Sequence, residues 1–500
     1  MQGTIPPEIL SKIFTHVDFS RNTSTTHGVK IKTRLAQYTI TCVGFQLALV
    51  CRYWHAVSLA TPSLWASVGV IISCGPYRQG FLEMLSMVLS RSGSAKLSII
   101  MDVDRSLHRV GLFDSRNIVG TVTGAVLPSD SRNAIPACIL RLLFEQSERI
   151  SHLVFRYISG LELVEPHILV PLLLHYSSRL KTVTNLALDG LSNNTSTSHV
   201  FKQLPQLLQL IPSISNLQLR LCTLSPRAFQ DLSLSSVHLT QLSVQDITTE
   251  SMWHFLRYFT NLRSATFTLD SIPPSEFQAH AVPEVCCQYL HSFTVLFSEI
   301  YPNDSISLQH SPFMSAICLP SLESLTLGTD SGDTWSKNDW QAIKFFEPFI
   351  ARSANGLRTF KLDSFPIDFE AATSVFEMMP NLRELVVVEM SWREMEKRSQ
   401  GSPIQNPVVN KNFMSCLVDP DVLPQLEHLR LYVNFGWEGT DLFETMVEAR
   451  KFKSTYLQVL RRSVDLDLPR LQRLIDKGIV VKVEEGIEAY GRTGTRTIVN

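Results

Sequence analysis

The sequence predicts an α/β protein in which a short helical unit precedes a long, irregular solenoid of strand–helix repeats. A short leucine-rich pattern recurs along most of the 500-residue chain at steps of 23 to 44 residues, with amphipathic stretches between its copies. Strongly apolar, helix-like segments precede the first copy. Short strands that alternate with helices at this period stack into a solenoid with a parallel sheet on its concave face.

The first helix is predicted in "IPPEILSKIF", residues 5–14. Pro7 and Glu8 suit a first helical turn, because proline lacks a donor that would be unpaired there and glutamate interacts favourably with the helix dipole. One apolar face with helical spacing then follows, formed by Ile9, Leu10, Ile13, Phe14 and Val17.

Two further helices are predicted in and just before "LVCRYWHAVSLATPSLW", residues 49–65. The first has apolar residues at helical spacing: Leu47, Val50, Cys51, Trp54 and Val57. Thr61 and Pro62 then form an N-cap and N1 pair that starts the next helix, which contains Leu64 and Trp65. Three short helices do not enclose a core alone, so their apolar surface either meets a partner or caps the following domain.

In order, these segments resemble the F-box, in particular that of fungal F-box-like proteins. The matching positions are Pro7, Glu8, Ile9, Leu10, Ile13, Phe14, Leu49, Val50, Cys51, Arg52, Trp54, Pro62, Leu64 and Trp65. The resemblance covers residues 5–70 and implies binding to the Skp-type adaptor of an SCF ubiquitin ligase, and through it to a cullin. The adaptor-binding residues it implies are Pro7, Ile9, Leu10, Ile13, Phe14, Leu49, Val50, Trp54, Leu64 and Trp65. Residues 18–44 are longer than the corresponding link of a compact F-box, so this insertion is either a solvated loop or a feature that weakens the adaptor contact. We expect it to be dispensable for folding.

The recurring pattern is L-x-x-L-x-L, the signature of leucine-rich repeats. Its ten copies start at Ile150, Val183, Ile214, Leu239, Leu262, Leu290, Leu322, Leu357, Leu382 and Leu426. Leucine-rich repeats measure roughly 20–29 residues, so the longer steps indicate insertions. The copy "ISNLQLRLCTL" is nearly complete, with Cys222 where the pattern allows Asn or Cys.

The predicted organisation follows from these segments. We expect a helical domain over residues 1–70, a solenoid over 71–483 and a tail over 484–500. "FLEMLSMVLSRSGSAKLSIIMDV" at residues 81–103 predicts a helix, a glycine turn and a strand as an atypical first unit. Residues 105–132 lack periodicity, and residues 392–411 are polar with Gly and Pro, so both are predicted loops.

Composition limits the classes of partner. The chain has 45 basic and 46 acidic residues, which give a net charge of −1. A chain without a broad electrostatic field does not favour nucleic acid or an anionic membrane. No apolar run reaches the ~18 residues of a membrane span. Nine scattered cysteines without C-x-x-C fit a reduced protein with buried thiols, so we expect a cytoplasmic and/or nuclear location.

No motif for catalysis, a cofactor or a metal stands out. The chain lacks the phosphate-binding glycine motifs, H-E-x-x-H and G-x-S-x-G. Two D-x-D pairs, starting at Asp102 and Asp465, have a spacing that strand ends and helix caps produce commonly. The adjacent Cys286 and Cys287 are expected to be one buried thiol and its neighbour. We therefore expect no enzyme, cofactor or metal.

The leading functional expectation is a substrate receptor whose helices bind the adaptor and whose repeats hold an unknown protein substrate. The alternative is an interaction scaffold without a ligase role, and an enzyme between repeats has the least support. Side chains that flank the second leucine of a copy alternate outward. In the middle copies they are neutral: Gln241, Ser243, Gln245, Ser264, Thr266, Thr268, Ser324 and Thr326. In later copies they are charged or aromatic, and the expected substrate contacts are Thr359, Lys361, Glu384, His428, Arg430 and Tyr432, with Asp363 beside them.

Overall fold

The structure is a computed structural model, and its chain forms two compact units, residues 1–239 and 240–500, each treated by itself. The residues that it describes are 5–16, 39–72, 80–104, 131–158, 169–191, 207–221, 238–269, 282–297, 312–329, 343, 346–365, 369–389, 409, 411–434, 440–450, 452–461, 472–473, 475–476 and 478–485.

Helices occupy both apolar segments at the start of the first unit. They are α1 (Pro7–His16), α2 (Val43–Ala48) and α3 (Arg52–Leu59), followed by a 3-10 helix at Pro62–Trp65. The chain breaks between α2 and α3 because Cys51 is extended and caps α3, its sulfur accepting the Trp54 N–H at 3.4 Å. The second segment is therefore two helices where the spacing predicts one.

Six strands form the sheet of the first unit. In chain and sheet order they are β1 (Thr39–Cys42), β2 (Ser67–Ile72), β3 (Leu97–Asp104), β4 (Ile150–Ile158), β5 (Asn185–Leu191) and β6 (Asn216–Leu221). Among these described strands, the pair β1–β2 is antiparallel and the pairs from β2 to β6 are parallel. The helices between them are α4 (Gly80–Arg91), α5 (Ser131–Phe144) and α6 (Leu169–Tyr176). The predicted helix, turn and strand at residues 81–103 are present, with Gly93 in the turn at φ +53°.

The second unit repeats the arrangement. Its strands are β7 (Gln241–Ile247), β8 (Ser264–Leu269), β9 (Val285–Cys286), β10 (Ser292–Phe297), β11 (Ile317–Cys318), β12 (Ser324–Thr329), β13 (Thr359–Asp363), β14 (Glu384–Val388), β15 (His428–Asn434), β16 (Ser454–Arg461) and β17 (Val480–Glu485). Strands β9 and β11 form a separate two-stranded ladder, and the other nine form a parallel sheet in chain order. The helices are α7 (Thr249–Tyr258), α8 (Glu347–Ser353), α9 (Phe369–Glu377), α10 (Lys411–Val418) and α11 (Thr440–Arg450).

Each of the ten leucine-rich copies contains a strand, which confirms the α/β prediction and the mostly parallel sheet. In β10, β13 and β14 buried residues alternate strictly with partly exposed ones. The buried side chains pack against the helices. The ring centroid of Phe293 lies 5.7 Å from that of Phe349 in α8, and the ring centroid of Phe360 lies 6.5 Å from that of Phe376 in α9. The alternate side chains form the other side of the sheet, which we call the open face.

Four predicted loop or tail boundaries differ from those in the structure. The insertion expected at residues 18–44 ends in β1 and the start of α2, because Ile40 and Cys42 are core residues; residues 17–38 lie outside the described ranges. The loop expected at 392–411 includes buried Val409, whose N–H donates to the Glu389 carboxylate at 2.8 Å. Residues 131–132 belong to α5, and β17 continues to Glu485, past the expected start of the tail.

Candidate interaction surfaces

Six large apolar side chains are exposed in the described part of residues 5–59. Ile5, Ile9 and Ile13 follow at four-residue steps and are 48%, 48% and 46% exposed. Leu49 and Val50, in the turn between α2 and α3, are 73% and 58% exposed, and Leu59 at the end of α3 is 37% exposed. We call the first five of these residues the N-terminal apolar surface. Water contact with apolar area is unfavourable, so exposed apolar residues in one helical segment mark a candidate contact site.

Other residues of α1 pack the helix against neighbouring elements. Leu10 is 3% exposed, and helix α1 contacts α3 and the 3-10 helix. The hydroxyl of Tyr53 donates to the Ile5 carbonyl, and the hydroxyls of Ser11 and Thr61 lie 3.3 Å apart. These contacts orient α1 so that Ile9 and Ile13 point away from the core.

Three residues expected to contact the adaptor are buried instead: Leu10, Leu64 and Trp65. Trp65 is fully buried, its indole N–H donates to the Ser58 carbonyl at 2.7 Å, and the Arg91 guanidinium lies 4.7 Å from its ring centroid. A side chain without solvent contact has no surface to offer a partner. In this structure these three residues therefore belong to the core of the first unit and offer an adaptor no exposed surface.

The other predicted adaptor residues are placed differently. Pro7 is exposed beside Ile9, and Trp54 is half-buried in α3. Phe14 lies in α1, but its side chain is outside the described part of the structure. Among the predicted adaptor residues with described side chains, those that are exposed are thus Pro7, Ile9, Ile13, Leu49 and Val50. Ile5 was not predicted.

On the open face of the second unit, the six predicted substrate contacts lie on three adjacent strands. Thr359, Glu384 and His428 are register partners across β13, β14 and β15. Two residues further along each strand, the next row of side chains on the open face contains Lys361 and Arg430, with Val386 between them. The row after that includes Tyr432 on β15. The parallel register therefore brings residues together that are up to 73 positions apart, from 359 to 432.

The charged groups of this face neutralise one another. The Lys361 ammonium lies 2.6 Å from the Asp363 carboxylate, and the Arg430 guanidinium lies 3.1 Å from that of Glu384. His428 Nδ1 is 2.6 Å from the Ser454 hydroxyl. An anionic ligand would meet a carboxylate beside each of the two cations, so the face is better suited to neutral partners than to a phosphate.

Apolar and aromatic side chains complete the same patch, and of these the repeat pattern singled out Tyr432 alone. The rings of Tyr432 and Tyr456 lie 5.5 Å apart, and the Tyr456 hydroxyl donates to the Gln458 side-chain carbonyl at 2.9 Å. Val386 and Val388 are half-buried on the outward positions of β14. Tyr456 was missed because β16 lacks the leading leucine of L-x-x-L-x-L, although its own alternation was a usable signal.

The middle strands present neutral hydroxyl and amide groups, as the register predicts. The outward residues that keep at least partial exposure are Gln241, Ser243, Gln245, Ser264, Thr266, Ser324 and Thr326. Thr268 is the exception, at 1% exposure. The pairing of β7 with β8 is irregular between Val244 and Ile247, opposite this end of β8, so the alternation breaks there. Thr268 is not available to a ligand.

The cysteines are more varied than the sequence indicates. Cys42, Cys287 and Cys416 are buried, whereas Cys51 and Cys286 are exposed. Burial raises the pKa of Cys42 to about 11 and that of Cys287 to about 12, so neither is a thiolate near neutral pH. As expected, Cys287 is the buried thiol and Cys286 its neighbour.

Among the described residues, there is no group of three or more side chains that could hold a metal ion. Within the same ranges, every helix is too short or too polar to cross a bilayer.

No protein-family model matches the chain, and no curated protein matches it significantly.

Proposed function

We propose that the chain is the substrate-recognition subunit of an SCF-type ubiquitin ligase, located in the cytoplasm and/or the nucleus. One observation carries this proposal: six of the nine exposed large apolar residues in the described ranges lie between residues 5 and 59. They coincide with the segments that resemble the F-box. The N-terminal apolar surface would bind the Skp-type adaptor and, through it, a cullin.

The repeats would supply the substrate site. The patch on β13–β16 combines neutralised ion pairs, two tyrosines and two valines on a rigid sheet. Arg and Tyr are common anchors at protein interfaces, and a rigid strand surface loses little entropy on binding. The chain would contribute effective concentration and orientation, while the ubiquitin-transfer chemistry would belong to other subunits.

The scaffold alternative also has an observation in its favour. The 3-10 helix leads directly into β2, and Trp65 packs beneath Arg91 of α4. The N-terminal helices therefore also cap the sheet of the first unit. A cap without an adaptor would leave the N-terminal apolar surface unexplained, so we rank this alternative second.

Co-purification distinguishes the two. The full chain is co-expressed with a Skp-type adaptor and a cullin, and the complex is isolated through a tag on the cullin. The ligase proposal predicts a stoichiometric ternary complex. Folded chain that stays free of adaptor at micromolar concentration would support the scaffold instead.

A further inference from the structure

The short ladder of β9 and β11 places two cysteines directly opposite each other. Cys286 and Cys318 are register partners in this parallel pair. The flanking hydrogen bonds run from the Val285 N–H to the Ala316 carbonyl at 2.8 Å and from the Cys287 N–H to the Cys318 carbonyl at 3.0 Å. Register partners point to the same side, so both side chains leave the ladder together.

The two thiols are also close and accessible. The side chains are near enough for Cys286 to contribute to the raised pKa of Cys318. Cys286 is exposed and Cys318 is partly exposed. Neighbouring strands lie about 4.7–4.9 Å apart, within the roughly 4.4–6.8 Å that a disulfide spans between its Cα atoms.

The third cysteine of this region is set apart from the pair. Cys287 points to the opposite side of β9, is fully buried, and donates its S–H to the Leu256 carbonyl of α7 at 3.4 Å. Its buried, protonated thiol does not compete for an oxidant. The arrangement therefore selects one pair from three cysteines.

We propose that Cys286 and Cys318 form a redox modification site, closed to a disulfide by a hydroperoxide and reopened by thiol reductants. The Cys286 thiol loses its proton, and the thiolate attacks one oxygen of hydrogen peroxide; the O–O bond breaks, a sulfenic acid forms, and the departing hydroxide takes up that proton as one water. The Cys318 thiol likewise loses its proton, and its thiolate attacks the sulfenic sulfur; the S–S bond forms, the S–O bond breaks, and the hydroxide takes up the second proton as a second water. Two thiols and one peroxide give one disulfide and two waters.

The groups around Cys318 set the pH dependence of the second step. Burial, followed by the neighbouring Cys286, raises the pKa of Cys318. Glu284 adds to this rise, and Arg352, which lies 3.5 Å from Glu284, opposes it. Because the thiolate is the nucleophile, disulfide closure becomes faster as the pH rises from 7 to 8.5.

The disulfide would link residue 286 covalently to residue 318 and constrain the segment between them, which includes β10. Cross-linking a loop restricts the unfolded chain, so the oxidised protein should melt about 5 °C higher than the reduced protein. The inference concerns the second unit alone and does not depend on the ligase proposal.

The test treats the reduced full chain with one equivalent of hydrogen peroxide, followed by differential alkylation and peptide mass spectrometry. We expect the Cys286–Cys318 peptide pair as the main product, a higher Tm, and reversal of both by dithiothreitol. Cys286→Ser and Cys318→Ser each remove the linked peptide and the shift in Tm. Cys51→Ser is the matched control, because it removes another exposed thiol while serine still caps α3.

A second probe avoids oxidation. Phenylarsine oxide bridges two neighbouring thiols, and it should protect Cys286 and Cys318 from alkylation at least tenfold in the wild type but in neither single variant. Recovery of Cys318 fully alkylated while Cys286 is oxidised, or linkage of Cys286 to another cysteine, would overturn the proposal.

Discussion

Trp65 shows why single residues decide what the N-terminal helices can bind. Its ring is enclosed by Phe45, whose ring lies 5.3 Å away, by Arg91 and by the backbone at Gly44. Helical spacing reveals that Trp65 is apolar and placed on a face, but not what covers that face. The covering residues lie about twenty positions away in both directions, so burial at this position was not predictable from a local pattern.

The contact with Gly44 gives a stability prediction. A Cβ at this position would lie 2.7 Å from two ring atoms of Trp65, so Gly44→Ala forces the ring or α2 to move. We expect a loss of ~1–3 kcal/mol in the free energy of unfolding, the usual range for overpacking a core. Denaturant unfolding of the full chain measures it.

Gly80→Ala is the matched control for this substitution. Nothing lies within 4 Å of a Cβ built at Gly80, at the start of α4. Replacing a glycine at a compatible helical site stabilises a protein by ~0.4–1 kcal/mol. If Gly44→Ala unfolds like this control, Trp65 is not seated against α2 as described.

At the level of elements, the leucine-rich pattern predicted the strands well because it reports both the period and the buried face of each strand. Strands β1, β2 and β16 lack the pattern and were missed, and β9 and β11 are too short for any periodicity. The open face followed from the same alternation, and it failed at Thr268, where β7 is irregular. The ion pairs on that face join residues on different strands or two positions apart, so no local period encodes them.

The ion pair between β14 and β15 supports a prediction on substrate capture. The double substitution Glu384→Arg with Arg430→Glu keeps a diagonal ion pair between β14 and β15 and the same net charge, so the fold should be retained. It reverses the charge pattern seen by a partner, and misplaced charges at an interface cost several kcal/mol. We expect capture of a substrate identified by proximity labelling to fall by tenfold or more.

A similar pair in the first unit supplies the control. Asp189 on β5 and Arg220 on β6 are register partners with their charged atoms 3.9 Å apart. The exchange Asp189→Arg with Arg220→Asp should leave capture unchanged. Equal loss in both exchanges, or in neither, would move the substrate contact away from β13–β16.

For the whole molecule, the proposed function divides between two surfaces: the N-terminal apolar surface in the first unit and the patch on β13–β16 in the second. The sequence predicted the α/β class and most strands because these depend on local patterns. It overstated the adaptor site, because Leu10, Leu64 and Trp65 match the F-box pattern but are covered by the chain itself. The central claim therefore rests on the exposed part of the pattern.

Calorimetric titration of the full chain with purified Skp-type adaptor tests that claim most directly. Ile9→Asp with Leu49→Asp places charges on two exposed positions, where substitutions change stability little. Each apolar side chain buried on binding contributes about 1.5–3 kcal/mol, so we predict an affinity loss of about 100-fold or more. Leu210→Asp, at a residue that is 45% exposed outside the N-terminal helices, should bind like the wild type. A wild-type chain that does not bind the adaptor, or a double variant that binds it equally well, would contradict the account.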